Sequence, residues 1–197
     1  MEKPATPEHE ILDLLKRRWS PRAFSDKPVP EPVLRRLFEA ARWAASSYNE
    51  QPWTYIVGVK AEDPAEFDRI ASTLYPPNAW AKAAPVLALS VAKTKFSHDG
   101  SANRVAFHDV GAASANLTIE AIAQGVFVHQ MGGFDAKKAR ELFEIPEDHE
   151  AVAALAIGYP GDSESLPDAL KARELAPRTR KKVDEFVFRG KWGGGKF

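Results

Sequence analysis

The chain reads as a three-layer α/β domain, a central mixed sheet of four strands flanked by helices. Three observations predict it. Four short apolar runs rich in β-branched residues, at 53–59, 84–92, 126–130 and 152–157, have the length and composition of buried strands. Stretches with helical spacing separate them, which is the alternation of an α/β arrangement. The 197 residues contain no internal repeat and no domain-sized linker, so one domain spans 1–197.

The elements follow in order. Thr6-Pro7 reads as an N-cap with proline at the first helical position, and Ile11, Leu14, Leu15 and Arg18 continue at helical spacing. Arg17 and Arg18 close that helix, where the macrodipole favours cations, and Pro21 stops it. A second helix starts near Pro30 and buries Leu34, Leu37, Phe38, Ala41 and Ala45 on one side. Its end delivers a polar loop, residues 46–52, into the strand WTYIVGV. A short helix over 63–74 stops at the Pro76-Pro77 breaker, and APVLALSVA is the second central strand. Residues 93–103 are polar and contain glycine, which reads as a mobile loop. An alanine-rich helix over about 105–124 ends at Gly125. A third strand at 126–130, a helix over 135–143 and a fourth strand at 152–157 complete the set. Residues 173–197 are basic and aromatic, with FVF at 186–188 the one strand-like piece.

Composition excludes several classes. Basic and acidic residues number 27 each, so no global field attracts nucleic acid or anionic lipid. The absence of cysteine removes disulfides, thiolate catalysis and cysteine-ligated metal. His98, His108 and His129 lack ligand spacing on one element, and no metal site is expected. The longest nearly unbroken apolar run, 83–92, is far shorter than the roughly 20 residues a membrane span needs. The start lacks the apolar stretch of a secretory signal, and a cytoplasmic location is the expectation.

Chemistry concentrates in two clusters flanking the second helix. RRWSPRAF sets guanidinium groups beside a hydroxyl, which suits a phosphate or another flat anion. AASSYNEQPW is a run of small polar side chains ending in proline and indole. Each also has a plainer reading: a helix with a basic end, and a turn whose side chains bond their own backbone. In APRTRKK, Arg178 and Arg180 project to one side of an extended segment, suiting one phosphate, or else form a solvated basic run. Gly132-Gly133 allows close backbone approach to a flat ring, or else is a strand-to-helix turn with Asp135 as N-cap.

The ordered set of RRWSPRAF, SSYNEQPW, DVGAASANLTIEAIAQG, GGFD, AIGYPG and a basic tail resembles the FMN-dependent nitroreductase family over nearly the whole chain. The resemblance implies the nitroreductase-like α+β fold, with the partner's C-terminal tail (173–197) crossing over to add an edge strand. Phe186, Phe188, Trp192 and Phe197 favour docking of that tail over a frayed terminus. The implied protein is a homodimer with FMN at the subunit interface. NADH or NADPH is the implied electron donor. Nitroaromatics, quinones or similar small molecules are the acceptors, reduced by a ping-pong exchange through flavin N5. A flavin store or sensor without turnover is the alternative.

The resemblance carries flavin contacts onto Arg18, Trp19, Ser20, Arg22, Ser46, Ser47, Asn49, Gln51, Asn78, Met131, Gly132, Gly133, Arg178 and Arg180. The backbone of Gly132 and Gly133 is expected near N5, and no side chain is assigned acid or base work. Many members carry an acidic residue where Gly132 stands. Phe96, His98 and Phe107 border the polar loop and are the candidates for the substrate mouth. Neither nucleic acid nor a membrane is an expected partner.

Overall fold

The computed structural model describes residues 3–196. In chain order the elements are α1 (Asp13–Arg17), α2 (Glu31–Arg42), β1 (Trp53–Val59), α3 (Pro64–Ala71), β2 (Val86–Lys93), α4 (Ala106–Ala123), β3 (Phe127–Met131), α5 (Ala136–Leu142), β4 (His149–Gly158), α6 (Asp168–Leu175), β5 (Phe188–Arg189) and β6 (Gly195–Lys196). Short 3-10 segments occupy Ser47–Asn49, Pro76–Ala83, Ser163–Ser165 and Val183–Glu185.

The four-strand α+β class and its helical layers are borne out. Side chains alternate across the sheet and build a core on each face. Leu87, Leu89, Ala154 and Ala156 meet Phe67 and Ile70 of α3 and Ala139 of α5. Val86, Ala88, Leu155 and Ile157 meet Leu34 and Leu37 of α2 and Leu117 and Ala121 of α4. Leu37 and Leu117 are fully buried, and each such side chain is worth about 1.5–3 kcal/mol of burial.

Strand order is β1-β2-β4-β3, and every pairing in this sheet is antiparallel, with a register shift between Ser90 and Val91. This corrects the mixed sheet of the sequence reading. Apolar runs identify strands, but their direction is decided by distant hydrogen-bond partners. The near-continuous burial of β2 comes from helices on both faces, not from parallel pairing. β1 is an outer strand in which only Gly58 is buried, not a fully buried one. A Cβ at Gly58 would sit 2.8 Å from the Phe67 Cα, so glycine lets α3 approach.

The first helix is also shorter than its spacing suggests. It has five residues, and Ile11 and Leu12 lie exposed outside it. Residues 3–12 instead double back, with Ala5 N donating to Lys16 O at 2.8 Å. An apolar spacing with no layer to pack against does not hold a helix. Pro76-Pro77 opens a 3-10 segment where the sequence suggests a simple break. The loop over 94–103 is tied back by Phe96 N to Ser101 O at 2.9 Å and Asn103 N to Thr94 O at 2.8 Å.

At the tail, β5 pairs antiparallel with β6, and Trp192 is 95% exposed. Phe197 lies outside the described residues. No helix among the described residues is long and apolar enough to cross a membrane.

Candidate functional site

α1 ends with Arg18 in an extended conformation, and the chain then threads Trp19–Arg22 between β3 and α6. Extended backbone points successive side chains to opposite sides. Trp19 accordingly turns inward, 5% exposed, edge-on to Phe127 at 6.1 Å, while Arg18 and Ser20 turn to one side. Arg18 Nη1 donates to Ser20 Oγ at 3.2 Å. The Trp19 indole is thus core, and its buried Nε1 has no partner among the described residues.

Arg18, Ser20, Arg22, Arg178 and Arg180 line one cleft of about 310 Å³, together with Lys3, His129 and Glu174. The structure brings these five residues together. Arg178 is anchored through Nη1 to the carbonyls of Lys3 (2.7 Å) and Lys16 (2.8 Å). Among the described residues, no carboxylate lies within ion-pair distance of Arg18, Arg178 or Arg180. Burial, then the like charges of Arg178 and Arg180, push the Arg18 guanidinium below its ordinary pKa. Burial and Arg180 do the same to Arg178. Three guanidiniums share this cleft, Arg18 is bonded to its hydroxyl, and the one carboxylate of the lining, Glu174, is taken up by the Arg22 and Ala23 amides. That donor set fits a phosphate dianion.

Glu174 is the residue that sequence reasoning missed. DALKAREL carries no apolar stripe, so α6 and its one buried residue leave no periodic signal. The carboxylate, 1% exposed, accepts from Arg22 N at 3.0 Å through both oxygens and from Ala23 N at 3.2 Å. Arg22 Nη1 stands 4.0 Å from it. Glu174 therefore fixes the bend at Pro21 and the start of the Arg22 side chain, whose guanidinium lies 6.0 Å from the Trp80 ring.

His129 connects this cleft to the next group. Its Nδ1 lies 2.8 Å from Pro21 O, so Nδ1 carries the proton and donates. Its ring packs 4.5 Å from Trp80. Burial pulls its pKa down to about 4, partly opposed by the bond to Pro21, with Arg22 adding to the depression.

Beyond β3, Gly133 O accepts from Asn78 Nδ2 at 2.9 Å and Tyr75 N at 3.2 Å. Asn78 therefore holds the glycine turn, and a Cβ at Gly133 would lie 2.5 Å from its Nδ2. Gly132 is exposed, and a Cβ there would meet nothing within 4 Å. The Met131 side chain is buried in the core, which leaves only its backbone for a ligand. Asp135 caps α5 by accepting from Lys138 N at 2.9 Å, so the capping reading and the open glycine coexist.

The second polar cluster stands elsewhere. Tyr48, Asn49 and Gln51 all take positive φ (54°, 55° and 50°), costly for side chains other than glycine. The loop is over-determined: Ser47 N donates to Asp109 Oδ2 at 3.0 Å, and Gln51 N to Ser46 Oγ at 3.0 Å. Gln51 Nε2 donates to Asn49 O at 3.2 Å, so the self-bonded turn is also met. Glu50 accepts from Ser97 N at 2.8 Å and pairs with Lys93 at 3.5 Å. Tyr48, 83% exposed, meets Phe96 edge-on (5.7 Å) and His98 at a tilt (5.6 Å). Phe107, 44% exposed, has no ring contact with them among the described residues.

This loop feeds β1, whereas Gly132-Gly133 follows β3, and these are the two outer strands of the sheet. Three strand spacings, about 14 Å, separate them. One chain therefore does not bring the SSYN loop to the arginine cleft.

A family model described as "Nitroreductase family" matches residues 15–159. A solved structure described as an oxidoreductase containing FMN is 33% identical and superposes with a TM-score of 0.90 over 96% of each chain. An uncharacterized 15.4 kDa protein of Mycolicibacterium smegmatis is 35% identical over 127 residues, covering 64% of this chain and 84% of that protein. A protein of Thermus thermophilus named NADH dehydrogenase is 29% identical over 180 residues, covering 75% of this chain and 85% of the relative.

Proposed function

This chain belongs to the nitroreductase family, and from that premise we propose that it is an FMN-dependent NAD(P)H oxidoreductase. Its small-molecule acceptors are nitroaromatics, quinones or similar planar oxidants. The observation that carries the reading is the trio Arg18, Arg178 and Arg180, lining one cleft with Ser20 and without an ion-pair partner among the described residues. These four residues hold the FMN phosphate. The likeness to an FMN-containing oxidoreductase over 96% of each chain supports the same cofactor. Bound FMN supplies hydride transfer between a nicotinamide and an oxidised acceptor.

The chain's own residues bind and orient. Glu174 takes the amides of Arg22 and Ala23 and keeps the RWSPRA bend closed around the cleft. Gly132 leaves open space, and Asn78 pins the carbonyl of Gly133, so the backbone after β3 presents a flat approach for a ring. Donor and acceptor take turns at this open side, which is the ping-pong order. No acid or base side chain is required there.

The site is completed by a second copy. Ser46, Ser47, Asn49 and Gln51 stand on the opposite sheet edge from Gly132, so in a homodimer they line the partner's cofactor. Phe96 and His98, in ring contact with Tyr48, border the acceptor mouth formed there. The β5–β6 hairpin, with exposed Trp192, docks on the partner.

The test is an absorption spectrum of the purified protein, then NADPH or NADH addition without air. A flavin spectrum that bleaches, and recovers on adding a quinone, is the expected outcome. A spectrum that persists with both donors points to flavin binding without turnover. Absence of flavin even after reconstitution with FMN overturns the proposal.

A further inference from the structure

Arg18, Arg178 and Arg180 have a second side. Besides the cleft at Ser20 they line a larger cavity of about 530 Å³, between the segment at residues 5–15 and the tail at 178–186. That volume lies within the range of small-molecule sites. The cavity adds Lys181 and Lys182 to the arginines, and its one carboxylate is Glu8. Glu8 accepts from Val183 N at 3.2 Å, which ties the tail to the N-terminal segment. Neither lysine has an ion-pair partner among the described residues. One phosphate at Ser20 leaves this side of the cluster with surplus positive charge.

The apolar lining is an independent observation. Ile11, Leu15 and Phe186 are 38%, 40% and 60% exposed, and all three border this cavity. Large exposed apolar side chains beside uncompensated cations match a ligand with a flat ring and a phosphate. A solvated basic run needs no such apolar wall.

We propose that this cavity binds the adenosine 2′-phosphate end of the electron donor, which makes the protein selective for NADPH over NADH. A phosphomonoester near neutral pH carries close to two charges, whereas each phosphate of a pyrophosphate bridge carries one. A cluster of cations therefore distinguishes the 2′-phosphate from the hydroxyl in its place. The proposal rests on the FMN-dependent oxidoreductase reading.

Two measurements on the full-length FMN-loaded protein test it. Calorimetric titration with adenosine 2′,5′-bisphosphate, adenosine 5′-monophosphate and inorganic phosphate reads binding without turnover. Steady-state kinetics with NADPH and NADH reads donor choice, in wild type and in a Lys181→Ala/Lys182→Ala variant. The bisphosphate is expected to bind at least about tenfold more tightly than the monophosphate, and inorganic phosphate more weakly than either. In the variant the KM for NADPH is expected to rise about tenfold, with FMN content and the KM for NADH unchanged. Restoring both positions as arginine should recover NADPH use. Equal binding of the two adenosine phosphates, or a variant that shifts both donors alike, overturns the proposal. Protein that retains no FMN contradicts the functional reading, and the titration then still decides whether the cavity takes the 2′-phosphate.

Discussion

Glu174 shows how one buried charge can organise a cationic site. Its carboxylate satisfies two backbone amides and faces Arg22, so removing it leaves buried donors unmatched and the cations less opposed. Glu174→Ala is expected to cost about 3 kcal/mol, read as a lower urea midpoint. A midpoint unchanged within error would mean that the RWSPRA bend is held by other contacts. His129 carries the pH dependence of the same cleft. Its folded pKa of about 4 lies below the unfolded 6.5, so the unfolded chain binds the proton more readily between those values. Stability from this group is full above about pH 6.5 and is lost as pH falls towards 4. The slope contributed is at most about 1.4 kcal/mol per pH unit. Urea unfolding of wild type and His129→Gln across pH 4.5–7 should show a flatter curve for the variant. Parallel curves would remove His129 as the source. Arg18, Ser20 and Arg178 were legible as residue types at set spacings. Glu174 was not, because a lone buried carboxylate in a stripe-free helix has no sequence pattern.

At the scale of elements, the SSYN loop is the strained piece. Asp109, 4% exposed in the first turn of α4, accepts from Ser47 N and holds three residues at positive φ. Asp109→Ala is expected to destabilise by about 1–3 kcal/mol. It should also speed amide exchange over residues 47–51 more than in β2. Unchanged exchange there would show that the Glu50–Ser97 bond alone suffices. Strand β1 is legible to the residue, because short β-branched runs bounded by polar loops have few other readings. The first helix is not, since its spacing says nothing of whether a layer exists to bury Ile11 and Leu12. Helix ends are read unevenly: Asp135 caps α5 as its position suggests, whereas Thr6-Pro7 opens no helix and α1 starts only at Asp13.

At the scale of the whole molecule, the strand order β1-β2-β4-β3 sets the two polar clusters on opposite edges. If the cofactor site needs both, FMN retention depends on association. Serial dilution of the FMN-loaded protein should release flavin over the concentration range in which sedimentation shows the dimer dissociating. Flavin retained by a sedimenting monomer would overturn the shared site. The sequence by itself determined the strands, most helices, the absence of cysteine chemistry and the kinds of side chain available to an anion. These depend on local spacing and residue type, which the chain carries along its length. Only the tertiary structure decided that the sheet is antiparallel and that Arg18, Ser20, Arg178 and Arg180 share a cleft closed by Glu174. It alone also decided that the SSYN loop stands at the opposite sheet edge, outside the lining of that cleft. Those outcomes depend on contacts between residues up to 175 positions apart. Such contacts are selected by burial and hydrogen-bond satisfaction across the fold, and no local pattern encodes them.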